Sequence, residues 1–457
     1  LSWLHSDIVK QTIWFNLNNK EHEIVRISPD GVEVLKNGSN PDRVILGYSN
    51  KMDPIHFLVD ADLAEADKAV TELLANNFSC APGDRFFILS WLSCFLLMDF
   101  AGTKPMTRFE GPSGSGKTTA AKLITALLYG RPQQKIATLA ANYTDGSQNP
   151  LLALDNIEVQ QMTDGLTEFM LTSITGVARE KRKGGTDSEN VAEHVKCLLN
   201  TTGIEPLRGD LSEILSRTFT IEFDDTQQAS ACFLDTEVVA AIQQKRDLIL
   251  SAVMKRTSHV LAMIRDGKRR QVLTAMQETL GAHDKRRCND YLSLMYLMTL
   301  AGASDEANEP LYGTPHTAFV EQVRRINEAS RETARGANPI AAALDALFNA
   351  WRNAVHLDEK AKYDPHERAI HVSGFIERYH LSSFEGDNML VDVTAGQLCT
   401  AFGVVARQFG LNCQYKNAVQ LGKRLRNDIE IIQEAGYEIA MREERGRRRV
   451  YDVRKTD

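Results

Sequence analysis

The sequence predicts an α/β protein with a parallel-sheet core, preceded by a small β and helical domain and followed by a helical subdomain and a last mixed unit. Three observations predict it. A glycine-rich run, Gly111-Pro112-Ser113-Gly114-Ser115-Gly116-Lys117-Thr118-Thr119, stands between a strand-like segment and a helix-like one. Across residues 104–223, short apolar runs (106–109, 136–139, 151–154, 195–199 and 218–223) alternate with helical stretches, the pattern of a largely parallel sheet. Across residues 235–300 the apolar positions recur mostly at helical spacing, as in Val238, Ile242, Leu248, Ile249 and Val253.

The chain has 457 residues, more than one core usually serves, which sets a prior of about two to four domains. An apolar share of 43% and a charged share of 25% are those of compact soluble proteins and argue against a disordered or fibrous chain. Residues 10–48 alternate apolar and polar positions and break at Asn18-Asn19, Pro29-Asp30-Gly31 and Asn37-Gly38, which reads as a β meander. Helical spacing follows from Asp62 to Asn77. The apolar run 86–100 is interrupted by Asp99 and is shorter than a membrane span, so it reads as a buried helix. Turn formers at 302–316 and 335–339 mark loops or linkers. The last stretch reads as helix (394–409), turn, long helix (417–435) and two strands (437–442 and 448–453), the order of a winged helix. The expected domains are 1–78, 79–234, 235–340 and 341–457, with the winged helix at about 385–457.

The net charge of −7 gives no global sign of nucleic-acid binding, so any such surface is a local patch. Seven scattered cysteines form no CxxC pair and suggest reduced thiols and a cytoplasmic location. No secretory signal is visible, and Leu1 in place of Met leads to the expectation of a fragment or a processed chain.

Chemistry concentrates around the glycine run. In GxxxxGK(S/T), successive backbone N–H groups and the following helix N-terminus wrap phosphates, and Gly111, Gly114 and Gly116 allow the backbone to approach closely. Lys117 is then expected to reach the β- and γ-phosphates of ATP, and the Thr118 hydroxyl to ligate Mg2+. Four apolar residues and an acid, Leu151-Leu-Ala-Leu-Asp155, form the strand expected to bring a second carboxylate to the metal. Asn156 stands where a catalytic Glu often follows that Asp, so Glu158 is the candidate base. Asn200, at the end of the run 195–199, is the candidate for orienting the attacking water. Arg217, before the strand at 218, and Arg208 are candidate arginine fingers.

Arg179, Lys181, Arg182 and Lys183 flank Gly184-Gly185 in a hairpin-like segment suited to a single strand's phosphates. Lys423, Arg424, Arg447 and Arg448, with Lys416, Arg426, Arg445 and Arg449, crowd the second helix and wing of the C-terminal unit, where such modules grip duplex DNA. Structural alternatives stand beside these readings: a surface position for Glu158, a salt-bridged arginine for Arg217 or Arg208, a plain charged loop for the hairpin, a protein-docking module for the winged helix.

Taken together, GPSGSGKTTAAKLI (111–124), LLALDNIE (151–158), the basic segment before Thr186-Asp187, LLNTTGIEPLRGDLSEILSRTFTIEF (198–223) and LGKRL with GRRRVYDV in the C-terminal unit resemble the superfamily 3 and AAA+ type ATPases of phages, plasmids and other mobile elements, related to the helicase half of phage primase-helicases. The resemblance covers most of the chain. It implies an AAA+ core, a hexameric ring with ATP between subunits, a pore hairpin on DNA, Arg217 acting in trans, and 3′ to 5′ unwinding of single-stranded and forked DNA during replication, with a primase or loader as partner. Residues 1–80 show no primase carboxylate triad or zinc site, so priming is not expected of this chain. Two rivals remain at this level: a DNA-bound ATP switch in defence or regulation, and a small-molecule P-loop kinase.

Overall fold

The computed structural model describes residues 2–456 apart from 134–137, 177, 183–189, 196, 206, 208–211, 216, 225–234, 281–288, 302–318, 320, 326–337, 361–369, 382–383, 387, 412, 414 and 445–447. The chain forms two compact units, Leu1–Pro206 with Glu213–Glu328, and Leu207–Ser212 with Ala329–Asp457.

The first unit opens with an antiparallel meander, β1 (Leu4–Asp7), β2 (Thr12–Asn16), β3 (Glu23–Ser28) and β4 (Gly31–Lys36), paired in chain order. Its turns fall where the Asn and Pro-Asp-Gly signals place them; β1, short and half polar, carries no such signal. Helix α1 (Leu63–Leu73) begins at Asp62, whose side chain accepts from the amides of Ala64 and Glu65. Helix α2 (Pro82–Ser93), apolar and buried from Phe86 onward apart from Ser90 and Ser93, leads into the 3-10 turn Phe95–Phe100, whose apolar residues are buried. No helix among the described residues is long and apolar enough to cross a membrane.

Next come β5 (Met106–Glu110), α3 (Lys117–Tyr129), α4 (Leu139–Gln148), β6 (Leu151–Leu154), α5 (Asp164–Thr175), the antiparallel pair β7 (Ala178–Arg182) and β8 (Asn190–His194), β9 (Leu198–Gly203), the single turn α6 (Ser212–Leu215) and β10 (Thr218–Glu222). Strands β10, β5, β9 and β6 lie side by side in that order, all parallel, so their C-terminal ends share one edge. Ligands of open parallel sheets bind at that edge. Two expectations shift here. Residues 136–137 of the expected strand 136–139 lie outside the described residues, and Thr138 and Leu139 are the N-cap and first residue of α4, the Thr138 hydroxyl accepting from the Ala141 amide. Strand β9 runs four residues past its expected end, through Gly203, because Asn200, Thr201 and Thr202 are polar yet at most 2% exposed inside the sheet.

Helices α7 (Asp235–Arg265), α8 (Lys268–Leu280) and α9 (Asn289–Ala301) complete the unit. The meander, the sheet and these helices, which the sequence divides into separate domains, share one core that includes Trp3, Phe95, Leu123, Phe219, Met254 and Leu297. Helix α7 also grips the end of α3: the Arg246 guanidinium donates to the carbonyl oxygens of Leu127, Leu128, Pro54 and Asp53, and Gln243 donates to that of Gly130.

The second unit contains α10 (Pro339–Lys360), α11 (Ile370–Tyr379), β11 (Phe384–Glu385), β12 (Met389–Thr394), α12 (Ala395–Phe409), α13 (Ala418–Asn427), α14 (Ile429–Glu434), β13 (Tyr437–Glu444) and β14 (Arg448–Lys455). Its antiparallel sheet has the order β11-β12-β14-β13. A capping box of Thr394 and Gln397 starts α12. The single helix expected over 417–435 is broken at Asp428, which ends α13 through its amide and sits 1% exposed, its carboxylate paired with Arg424 and accepting from Asn338 Nδ2.

Candidate functional site

The glycine loop leaves β5 at the shared edge and enters α3. Gly111, Gly114 and Gly116 have φ of +144°, +84° and +88°, values that disfavour any side chain. A Cβ on Gly111 would stand 2.1 Å from the carbonyl oxygen of Phe223, whereas one on Gly114 would meet nothing within 4 Å, so at Gly114 the loop faces open space. Pro112, Ser113 and Gly114 are exposed and Ser115 is buried. The first amides of α3 lack partners within the helix and point toward that space with the positive end of its dipole. Thr119 lies in that first turn, half-buried.

Lys117 folds back over the loop, its ammonium donating to Gly111 O at 2.7 Å, Pro112 O at 2.6 Å and Ser115 Oγ at 3.2 Å. Burial lowers its pKa from the ordinary lysine value, and the carboxylates of Glu158 and Asp155 act in the opposite sense.

Asp155 follows β6 and is half-buried. Its Oδ1 accepts from Thr118 Oγ1 at 3.2 Å and from Thr202 Oγ1 at 2.7 Å. The Thr202 hydroxyl in turn accepts from the Asn156 amide at 2.9 Å, and the Thr202 carbonyl from the Ile157 amide at 2.8 Å. Thr118 and Asp155 therefore bring two hard oxygen ligands together beside the loop, a donor set that fits Mg2+ next to a phosphate chain. ATP and Mg2+ fit these residues.

Thr202 occupies the place expected of Asn200. Asn200 lies two residues back along β9, its Nδ2 donating to Thr107 Oγ1 at 3.0 Å and its Oδ1 buried without a hydrogen-bond partner among the described residues. The sequence placed the polar group at the strand end, and the strand ends later. Replacing Thr202 with Val removes the hydroxyl that joins Asp155 to Asn156 without changing side-chain shape. Steady-state kinetics should show kcat for ATP hydrolysis about tenfold lower with KM little changed.

Asn156 adopts φ +54°, and its side chain is exposed. Asparagine tolerates this left-handed turn better than glutamate does, which accounts for its place after Asp155. The carboxylate of Glu158, the candidate base, accepts from the amides of Ile204 at 2.7 Å and Glu205 at 3.3 Å. Arg217 is 4% exposed; its Nη1 donates to the carbonyl and carboxylate of Glu213, and its Nε has no partner among the described residues. Within one chain Arg217 is thus buried and paired with Glu213, the arrangement of the salt-bridged alternative. Arg208 lies outside the described residues.

No family model matches the chain, and no curated protein matches it. Among solved structures the chain is similar to one described as SCCmec type IV Cch, an active helicase, at a TM-score of 0.44 and 13% identity, over 94% of this chain and 78% of that one. It is also similar to two apo structures of the NrS-1 C-terminal region, at TM-scores of 0.37 and 0.36 with 12% and 14% identity, over 95% of this chain and 95% and 94% of those. At these values the chemistry has to be read from the site's own residues.

Of the residues expected to meet DNA, Arg179, Lys181 and Arg182 lie on β7 in a pair whose register runs from Ala178↔His194 to Arg182↔Asn190. Lys183 and the Gly184-Gly185 tip lie outside the described residues, as does Arg447; Arg448 begins β14. Lys423 is exposed on α13. Arg424 is instead committed to the buried Asp428 at 2.8 Å, a partner within the fold. Sequence reasoning missed Thr202, whose threonine run reads as a loop, and Arg108 and Glu110, a charged pair inside a strand.

Proposed function

We propose that this chain is an ATP-hydrolysing motor that moves on single-stranded DNA and separates forked duplexes, working as a homo-hexameric ring in the replication of a phage or mobile element, with a primase or loader as partner. The observation that carries the ATPase reading is the meeting of Thr118, Asp155 and Thr202 beside the glycine loop. Bound Mg2+-ATP supplies the phosphoanhydride and a cation that neutralises charge building on its oxygens. With the nucleotide bound, Lys117 would exchange the carbonyls of Gly111 and Pro112 for phosphate oxygens, Thr118 and Asp155 would hold the metal, and the first amides of α3 would hold the phosphates. Thr202 fixes the Asp155 carboxylate, and Glu158, beside Lys117, is the base for the attacking water. Arg217 serves a neighbouring subunit once Glu213 releases it.

The motor reading is supported by sequence: the basic residues of β7 and of the segment after it, the exposed Lys423, the basic run ending at Arg449, and the motif resemblance. A second reading, an ATP-dependent switch on DNA that does not unwind, is favoured by one observation: the Glu158 carboxylate is already engaged by two backbone amides. Strand separation of a forked duplex with ATP and Mg2+, against Lys117→Ala, tests the proposal. Processive unwinding excludes the pure switch; DNA binding and ATP turnover without separation exclude the motor.

A further inference from the structure

Arg108 sits in the middle of the strand that feeds the glycine loop, yet it is 0% exposed. A guanidinium in that place needs partners, and it has three. Its Nε donates to Glu110 Oε1 at 2.5 Å, its Nη1 to Ile157 O at 2.9 Å and its Nη2 to Glu205 O at 2.7 Å. Glu110, two residues along on the same strand face, is itself 6% exposed and balances the charge.

The two carbonyls belong to the two segments that leave the sheet beside the site. Ile157 follows Asp155 and Asn156, and Glu205 follows β9 and Thr202. The guanidinium reaches them by crossing β9 at Gly203, where a Cβ would stand 2.1 Å from Nη2. The same segments are joined by Ile157 N to Thr202 O, and by Glu158 to the amides of Ile204 and Glu205. Asn156, in a left-handed conformation that a non-glycine residue holds only when its surroundings over-determine it, lies inside this frame.

We infer that Arg108 is a positioning residue for hydrolysis: with Glu110 as its counter-charge and Gly203 as its passage, it clamps the segment after Asp155 to the segment after Thr202. Among the described residues Arg108's hydrogen bonds go to Glu110, Ile157 and Glu205 and not to the glycine loop, so its work is done on Asp155, Thr202 and Glu158 through the backbone. This inference rests on the ATPase reading above, and it separates nucleotide binding from turnover.

Two variants displace the clamp by different routes. Gly203→Ala pushes the flexible guanidinium aside without removing a charge, and Arg108→Met combined with Glu110→Leu removes both charges together, leaving none unpaired. In the full-length protein, hydrogen exchange at 155–158 and 202–205 should quicken about tenfold or more while α3 stays protected. A fluorescent non-hydrolysable ATP analogue should bind within about threefold of wild type, and kcat should fall about tenfold. Arg108→Lys, which keeps the charge but lacks the fork, should not restore turnover.

Unchanged exchange at both segments in the folded variants would overturn the clamp, and so would loss of analogue binding in step with turnover. Wild-type protein that neither binds the analogue nor hydrolyses ATP would instead defeat the ATPase reading, and with it any role of Arg108 in hydrolysis, even if exchange at the two segments quickened.

Discussion

On the proposed ATPase reading, replacing Asp155 with Asn is expected to lower Mg2+-dependent ATP hydrolysis by about 10²- to 10³-fold and to leave the fold and nucleotide binding nearly intact. The asparagine carbonyl can accept from Thr118 and Thr202 as Asp155 Oδ1 does, so the local hydrogen bonds survive. What disappears is the negative charge that, on this reading, would face Mg2+. The loss should therefore fall on kcat and on the Mg2+ concentration giving half-maximal rate, while binding of an ATP analogue in the absence of Mg2+ stays within a few-fold of wild type. Parallel titrations of Mg2+ and of the analogue check this. Full activity in Asp155→Asn would mean that another group holds the metal.

The second large effect is on stability. Arg246→Ala should destabilise the first unit by about 3–5 kcal/mol, read as a shift in the urea unfolding midpoint without a change of slope. The guanidinium is 3% exposed and is shared among four carbonyls: Leu127 O and Leu128 O at 2.9 Å, Pro54 O at 2.8 Å and Asp53 O at 3.2 Å. Burial lowers its pKa to about 10, opposed by Asp247 and Asp53, so it stays charged near neutral pH. Alanine leaves these acceptors without their donor and opens a cavity. The positive charge also sits at the C-terminal end of α3, where it complements the helix dipole. Nucleotide should restore part of the lost stability by mass action.

How much of this was legible in the sequence follows from how local each signal is. The glycine loop is contiguous, its glycines are required by backbone angles, and its flanking strand and helix carry plain periodicity. Asp155 was legible because an apolar run ending in an acid is also a local pattern. Thr202 was not, since Asn200-Thr201-Thr202 looks like a loop until neighbouring strands bury it. Arg246 was invisible because its partners are backbone carbonyls, in part far away in the chain, and Arg108 because, Glu110 apart, its partners are the distant carbonyls of Ile157 and Glu205, which no side-chain pattern reports. The buried Arg217 and the Arg424–Asp428 pair make the converse point: exposure of a charged residue is set by tertiary packing. The expected boundaries near 78 and 234 divide segments whose apolar faces pack on one another. Loop composition marks where a chain turns, and shared burial decides what folds together.

On the proposed reading the glycine loop and Asp155 beside it drive work on DNA. This is tested most directly by measuring ATP hydrolysis by the purified protein with and without single-stranded DNA, with Lys117→Ala as the blank. Hydrolysis stimulated several-fold by DNA and absent from the blank is the predicted result. Hydrolysis indifferent to DNA, or equal in the blank, would contradict the account.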